Sequence, residues 1–101
     1  MSEFTVAVIQ IILAIPCGKV AGYGQIATMA GNPGGARAVA RVLHSCTEKH
    51  SLPWWRVIRN SGEIALPEDG GGALQKELLL VEGVVFKSKS KVDLKQCAWD
   101  A

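Results

Sequence analysis

The 101 residues contain no run of 18 consecutive apolar residues, so no helical membrane span is expected. Cysteine is scarce. Cys17, Cys46 and Cys97 are odd in number and show no CxxC spacing. With His44 and His50 they make no convincing zinc set, so neither a metal nor another cofactor is expected, and free thiols in a reducing compartment are the simpler reading. The start, Met1-Ser2-Glu3, lacks a basic residue, which argues against a signal peptide. A monomer in the cytoplasm with no membrane association is the expectation. Charge is also modest at 20%, against 49% hydrophobic residues, which is ordinary globular composition and speaks against general disorder. A chain of this length makes one domain and buries roughly two thirds of its unfolded surface.

The small net charge of +2 hides an uneven distribution. Residues 19–59 carry Lys19, Arg37, Arg41, Lys49, Arg56 and Arg59 against Glu48, whereas residues 60–86 carry Lys76 against Glu63, Glu68, Asp69, Glu77 and Glu82. The last stretch, 87–101, has four lysines against Asp93 and Asp100. Positive charge concentrated mid-chain suits a polyanion-binding face better than a uniformly solvated shell.

Residues 3–15 read as an apolar helix with almost no polar face, buried on most sides and ended by Pro16. A short helix is expected over about 24–30, with Ile26, Ala27 and Met29 facing inward. Gly31-Asn32-Pro33-Gly34-Gly35 is a dense turn signal. A second helix starts near Ala36 and runs to about His44 or later on the stripe Val39, Val42 and Leu43. Helix, glycine turn and basic helix outline a helix-turn-helix, although an ordinary αα-hairpin has the same pattern. Val57-Ile58, the turn Asn60-Ser61-Gly62 and Ile64-Ala65-Leu66 predict a small β-hairpin. Ala73–Glu82 reads as a helix on Leu74, Leu78, Leu79 and Val81, ended by Gly83 in a left-handed cap. Residues 1–86 then form the domain, and 87–101 form a loosely ordered basic tail.

Three features stand out chemically. Trp54 and Trp55 follow a proline and precede an arginine in a turning segment. Tryptophans usually anchor cores, but an indole in a loop also walls a pocket for a planar ligand such as an extruded base. Tyr23 lies between two glycines, either as a surface residue or as a hydroxyl placed for a phosphate or base. Arg37 sits between Ala36 and Ala38, where small neighbours let a helix approach a minor groove about 6 Å wide with the arginine projecting ahead.

The ordered series Ile15-Pro16-x-Gly18-Lys19-Val20, Tyr23-Gly24-Gln25-Ile26-Ala27, Gly31-Asn32-Pro33, Ala36-Arg37-Ala38-Val39, Pro53-x-x-Arg56-Val57-Ile58, Ser61-Gly62, Gly71-Gly72-x-x-x-Lys76-x-x-Leu79 and Glu82-Gly83 resembles the C-terminal domain of O6-alkylguanine-DNA alkyltransferases over about residues 4–86. The resemblance implies a mainly α fold with a small β-hairpin, a single domain of winged helix-turn-helix type. It also exposes a departure. The transferases carry Pro-Cys-His-Arg-Val, with the cysteine accepting the alkyl group. Here the motif reads Pro53-Trp54-Trp55-Arg56-Val57. Alkyl transfer needs a thiolate generated by a nearby base, and an indole supplies none. The chain is thus similar to the alkyltransferase-like proteins, with tryptophan at the cysteine position, and is not expected to be an enzyme. Cys17, Cys46 and Cys97 match no catalytic motif, and Cys46 falls where the transferases usually have a hinge asparagine. Trp55 departs further, because these relatives more often keep histidine or a polar residue there. Glu82 is left to pair with Arg56 or simply to end its helix.

Carried over residue by residue, the resemblance implies DNA contacts from Tyr23, Gly35, Ala36, Arg37, Ala38 and Arg41. Arg37 matches the finger that fills the gap left by a flipped nucleotide. A lesion pocket is implied at Tyr23, Trp54, Trp55, Val57, Leu66, Pro67, Gly71 and Gly72. Leu66 and Pro67 are lid candidates because residues 60–73 contain no arginine. The expected partner is double-stranded DNA containing O6-alkylguanine, recognised through the minor groove by flipping and without transfer. Nucleotide excision repair proteins are the expected readers. A helix-turn-helix module without lesion specificity is the alternative, and an enzyme with a relocated thiol is the third.

Overall fold

The computed structural model describes all 101 residues. Helix α1 (Glu3–Ala14) starts where the Ser2 hydroxyl accepts from the Thr5 N–H, with Glu3 in the first turn, where a carboxylate favours the helix dipole. It buries Val8, Ile9 and Ile12 on one face. Val6 and Leu13 remain exposed, so the helix is buried on one side rather than on most. A two-residue strand β1 (Ala21–Gly22) leads directly into α2 (Tyr23–Met29), and after the glycine-rich turn α3 runs over Ala36–His50. Ser51, in the left-handed region at φ 53°, ends α3. Cys46 therefore lies inside an unbroken helix, and no hinge forms there. Helices α1, α2 and α3 pack around a cluster that includes Val8, Ile12, Ile26, Val39, Leu52 and Val57.

A single-turn 3-10 helix, Trp54–Arg56, precedes β2 (Val57–Ile58). The expected hairpin from 57 to 66 does not form as a pair of strands. The turn closes with Arg59 N–H donating to the Glu63 carbonyl, but β2 pairs in parallel with β1, Ala21 opposite Val57 and Gly22 opposite Ile58. The physical reason is burial. Val57 and Ile58 are 1% and 0% exposed, and a strand covered on both faces belongs inside the molecule, not in a solvated hairpin.

Helix α4 (Gly72–Val81) follows a second 3-10 turn at Glu68–Gly70. Gly83, at φ +89°, ends the helical path as expected, in a conformation costly for any side chain. The face of α4 turned to the core carries Gly72, Gln75 and Leu79, while Leu74, Leu80 and Val81 are exposed. Of the apolar stripe expected from the sequence, Leu79 is buried and Leu78 half-buried, whereas Leu74 and Val81 face outward.

The antiparallel hairpin of the fold comes later, from β3 (Phe86–Ser88) and β4 (Lys91–Val92), and a short α5 (Leu94–Cys97) follows. This corrects the expectation of a loose tail. Val92 is fully buried and Cys97 nearly so, in a second cluster with Val20, Ile58, Leu79 and Val84. Asp93 caps α5, Val20 N–H donates to the Cys97 carbonyl, and Trp99 N–H donates to the Val20 carbonyl. The Lys/Ser alternation is what solvent sees of a segment anchored by Val92, Leu94, Cys97 and Trp99. Val92→Ala is expected to lower stability by about 2 kcal/mol in urea unfolding, the scale of a truncated core side chain. A loose tail would tolerate the change within about 0.5 kcal/mol.

Candidate nucleic-acid interface

The α2–turn–α3 unit sets the exposed surface. In the turn, Asn32 N–H donates to the Ala27 carbonyl and Gly35 N–H to the Asn32 carbonyl. Gly35 is buried at the start of α3, half-buried Ala36 and Ala38 flank exposed Arg37, and Arg41 is exposed one turn on. No acidic residue occupies the first turn of α3, and neither Arg37 nor Arg41 makes an ion pair. The helix start therefore offers unneutralised positive charge and free backbone N–H groups, which is the physical requirement for meeting a phosphate backbone.

Tyr23 opens α2, half-buried against the main core cluster. Burial raises its hydroxyl pKa, with the Arg59 charge acting in the opposite direction, so the phenol stays a neutral donor. Its placement depends on Asn60, whose side-chain oxygen accepts from Gly24 N–H at 3.1 Å and Gln25 N–H at 3.3 Å. A Cβ on Gly22 would lie 1.8 Å from that oxygen, which is why glycine precedes the tyrosine.

Trp54 and Trp55 meet edge to face, 6.2 Å between centroids at 88°. They part company chemically. Trp54 packs against the cluster that also holds Tyr23. Trp55 lies against the second cluster, and its indole N–H donates to Glu82 Oε2 at 2.9 Å. Arg56 sits 5.5 Å from the Trp55 ring centroid and makes the strongest contact of the set, Nη2 to Glu82 Oε2 at 2.6 Å with Nε to Oε1 at 3.0 Å. Its remaining Nη1 donates to the Ile15 carbonyl, and Gly18 N–H completes the Glu82 shell. Trp55 thus joins the Glu82 network rather than a pocket wall. The indole N–H is one of the donors to that carboxylate, with Arg56 and Gly18.

Of the other sequence-derived pocket residues, Val57 is buried in the core and presents no wall. Leu66, Pro67, Gly71 and Gly72 do come together in one tight loop, closed by Gly70 N–H and Gly72 N–H on the Pro67 carbonyl. Leu66 and Gly72 line a groove of about 400 Å³ with Ile64, Lys76 and Leu80, and neither Tyr23 nor Trp54 reaches it. Asn60, Arg59 and Gln75 were not anticipated. Only Gln75 left a signal in the sequence, as a polar residue within a leucine-rich helix.

A family described as the 6-O-methylguanine DNA methyltransferase DNA-binding domain matches residues 3–84. The chain belongs to this alkyltransferase family. Among relatives, it is 42% identical to a DNA base-flipping protein of Vibrio parahaemolyticus, covering 98% of both chains. It is 35% identical to Alkyltransferase-like protein 1 of Schizosaccharomyces pombe, covering 98% of this chain and 96% of that one. The fold superposes with a TM-score of 0.87 at 33% identity on the S. pombe protein in complex with damaged DNA containing O6-carboxymethylguanine, over 100% of this chain and 98% of that one. The Mycobacterium tuberculosis O6-methylguanine methyltransferase aligns at a TM-score of 0.62 and 33% identity, over 94% of this chain and 55% of that one. The alkyltransferase-like fold expected from the motifs is therefore the fold of this chain.

The Glu82 carboxyl is pushed up by burial, but hydrogen bonds from Arg56, Trp55 and Gly18 more than offset this and lower it to about 2. The same hydrogen bond to Glu82 raises Arg56 against its own burial. Because the folded carboxyl titrates below its ordinary value of 4.5, the stability it confers is complete above that pH and is lost as pH falls toward about 2. The contribution is on the order of 2 kcal/mol after solvent screening. Glu82→Gln is expected to remove about that much at neutral pH and to flatten the acid limb of the stability profile. Unchanged stability would contradict the network's role.

Proposed function

We propose that this protein recognises O6-alkylguanine in duplex DNA without repairing it. The start of α3 enters the minor groove, with Ala36 and Ala38 allowing close approach and Gly35 and Arg41 flanking the contact. The lesion nucleotide rotates out past Tyr23, Arg37 fills the vacated space, and the damaged base comes to rest against Trp54. The observation that carries this reading is the combination at one turn. On an alkyltransferase-family scaffold, Glu82 holds Arg56 while Trp54 stands where the sequence resemblance places the transferases' nucleophile. Relatives named as base-flipping and alkyltransferase-like proteins, one of them bound to damaged DNA, support it.

The chemistry favours damaged sites on its own. Flipping costs a few kcal/mol and less for a poorly paired base. O6-alkylation removes the guanine N1 proton and weakens pairing. With no thiolate at Trp54, the bound lesion has no route to covalent transfer. The remaining thiols offer no replacement. Cys97 is buried with its sulfur accepting from Val85 N–H, Cys46 is within α3, and Cys17 lies beside Arg56, a cation already engaged by Glu82 and no general base. A long-lived complex in the cytoplasm would then serve as a signal, read by nucleotide excision repair proteins. Leu66 and Pro67 are the apolar lid candidates, on a loop beside a groove that Trp54 does not reach in the unbound protein.

The test compares variants on matched damaged and undamaged duplexes. Arg37→Ala is expected to lose lesion binding far more than general DNA binding, since only the flipped state has a gap to fill. Equal losses would reduce Arg37 to a phosphate contact. Trp54→Ala is expected to weaken lesion binding by about 1–3 kcal/mol, the scale of one base-stacking contact. A folded variant with unchanged affinity would remove Trp54 from the site.

A further inference from the structure

Gln75 is the one polar side chain of the buried set, 2% exposed on the core-facing side of α4 between Gly72 and Leu79. Its amide nitrogen donates to two backbone carbonyls, Trp55 at 3.1 Å and Val57 at 3.0 Å. These carbonyls bracket Arg56, at the end of the tryptophan turn and the start of β2. The amide oxygen, by contrast, is buried with no partner at all. A buried acceptor without a donor is costly, so what this position retains is the pair of N–H groups.

We propose that Gln75 is a positioning residue for lesion recognition, holding the Trp54–Arg56 turn through its two amide N–H bonds so that Trp54 presents its face at a fixed angle. This rests on the lesion-holding role of Trp54 proposed above. The turn is otherwise tethered through side chains, by Trp55 and Arg56 to Glu82. Gln75 alone among side chains grips its main chain from within the core, and it does so from the helix that the Leu66–Gly72 loop leads into. A wall that discriminates between bases needs its support held to a fraction of an ångström, and a second-layer hydrogen bond to the backbone supplies that.

Two substitutions separate the donors from mere filling of space. Gln75→Met keeps length and shape and removes both N–H groups. Gln75→Lys replaces the amide by an amine on a stem one bond longer, which has enough N–H groups to donate to both carbonyls, and it abolishes the orphan oxygen. Affinities are measured for duplexes with and without one O6-methylguanine, alongside fluorine NMR of protein labelled with fluorotryptophan, which reads the three tryptophans separately. Gln75→Met is expected to lose about tenfold in lesion affinity with undamaged binding little changed, within the range for a weakened stacking contact. Its Trp54 and Trp55 resonances should shift while Trp99 stays, and Gln75→Lys should restore both readouts. Equal loss on both duplexes, unmoved Trp54 and Trp55 signals, or no rescue by a folded Gln75→Lys would overturn the proposal. Should Gln75→Met fail to fold, retained discrimination in Gln75→Lys supports it and lost discrimination overturns it. If the unsubstituted protein fails to distinguish the duplexes, the lesion-sensing function falls, and the tryptophan resonances alone decide whether Gln75 sets the turn.

Discussion

The pairing of Arg56 with Glu82 is the constraint around which the rest of the molecule is arranged. It joins residues 26 positions apart, and its satellites reach further, to Ile15 across 41 and Gly18 across 64. One carboxylate thereby ties the end of α4 to the tryptophan turn and to the loop after α1. Removing either partner of this partly buried pair strands the other, and that is where its contribution to stability shows. Its value is geometric. With its guanidinium bound to Glu82 and to the Ile15 carbonyl, Arg56 is held inside the framework next to the turn that carries Trp54.

That rigidity suits the proposed role, in which the turn holds a base and performs no chemistry. In a transferase the equivalent turn must deliver a thiolate. Here Trp55 places its indole N–H on Glu82 and so belongs to the framework that holds the turn, while Trp54 makes no hydrogen bond to that carboxylate. The division between the two adjacent indoles is the central feature of the site. Trp55 supports, facing the second cluster, and Trp54 faces the cluster shared with Tyr23. Asn60 does for Tyr23 what Gln75 does for the tryptophan turn, holding main chain from a distant segment.

Much of this was legible in the sequence wherever a signal was local. The two helices and the turn between them followed from Gly31–Gly35 and the stripe of α3, a pattern shared by a helix-turn-helix and an ordinary αα-hairpin, and Arg37 stood out by its small neighbours. Non-local pairing was not legible. The turn at Asn60–Gly62 signalled a hairpin, yet Val57 and Ile58 found their partner in Ala21 and Gly22, far back in the chain, because burial of both faces outweighed the local turn preference. The terminal segment was misjudged for a related reason. Its anchors Val92 and Cys97 are short apolar residues scattered through a charged segment, and only their burial in the fold reveals them. The role of Trp55 was hidden too, since no periodicity links an indole to a carboxylate 27 residues later. Gln75 escaped because a polar residue in a helix is normally taken to face water.

The most direct measurement is equilibrium binding to two duplexes that differ only in one O6-methylguanine, at one stated salt concentration, since phosphate contacts alone make affinity depend on ionic strength. Binding tighter to the damaged duplex by about tenfold or more, roughly 1.4 kcal/mol, is the expected result. Equal binding would mean that the scaffold keeps its grip on DNA but holds no lesion, and a helix-turn-helix module without lesion specificity would be the correct description.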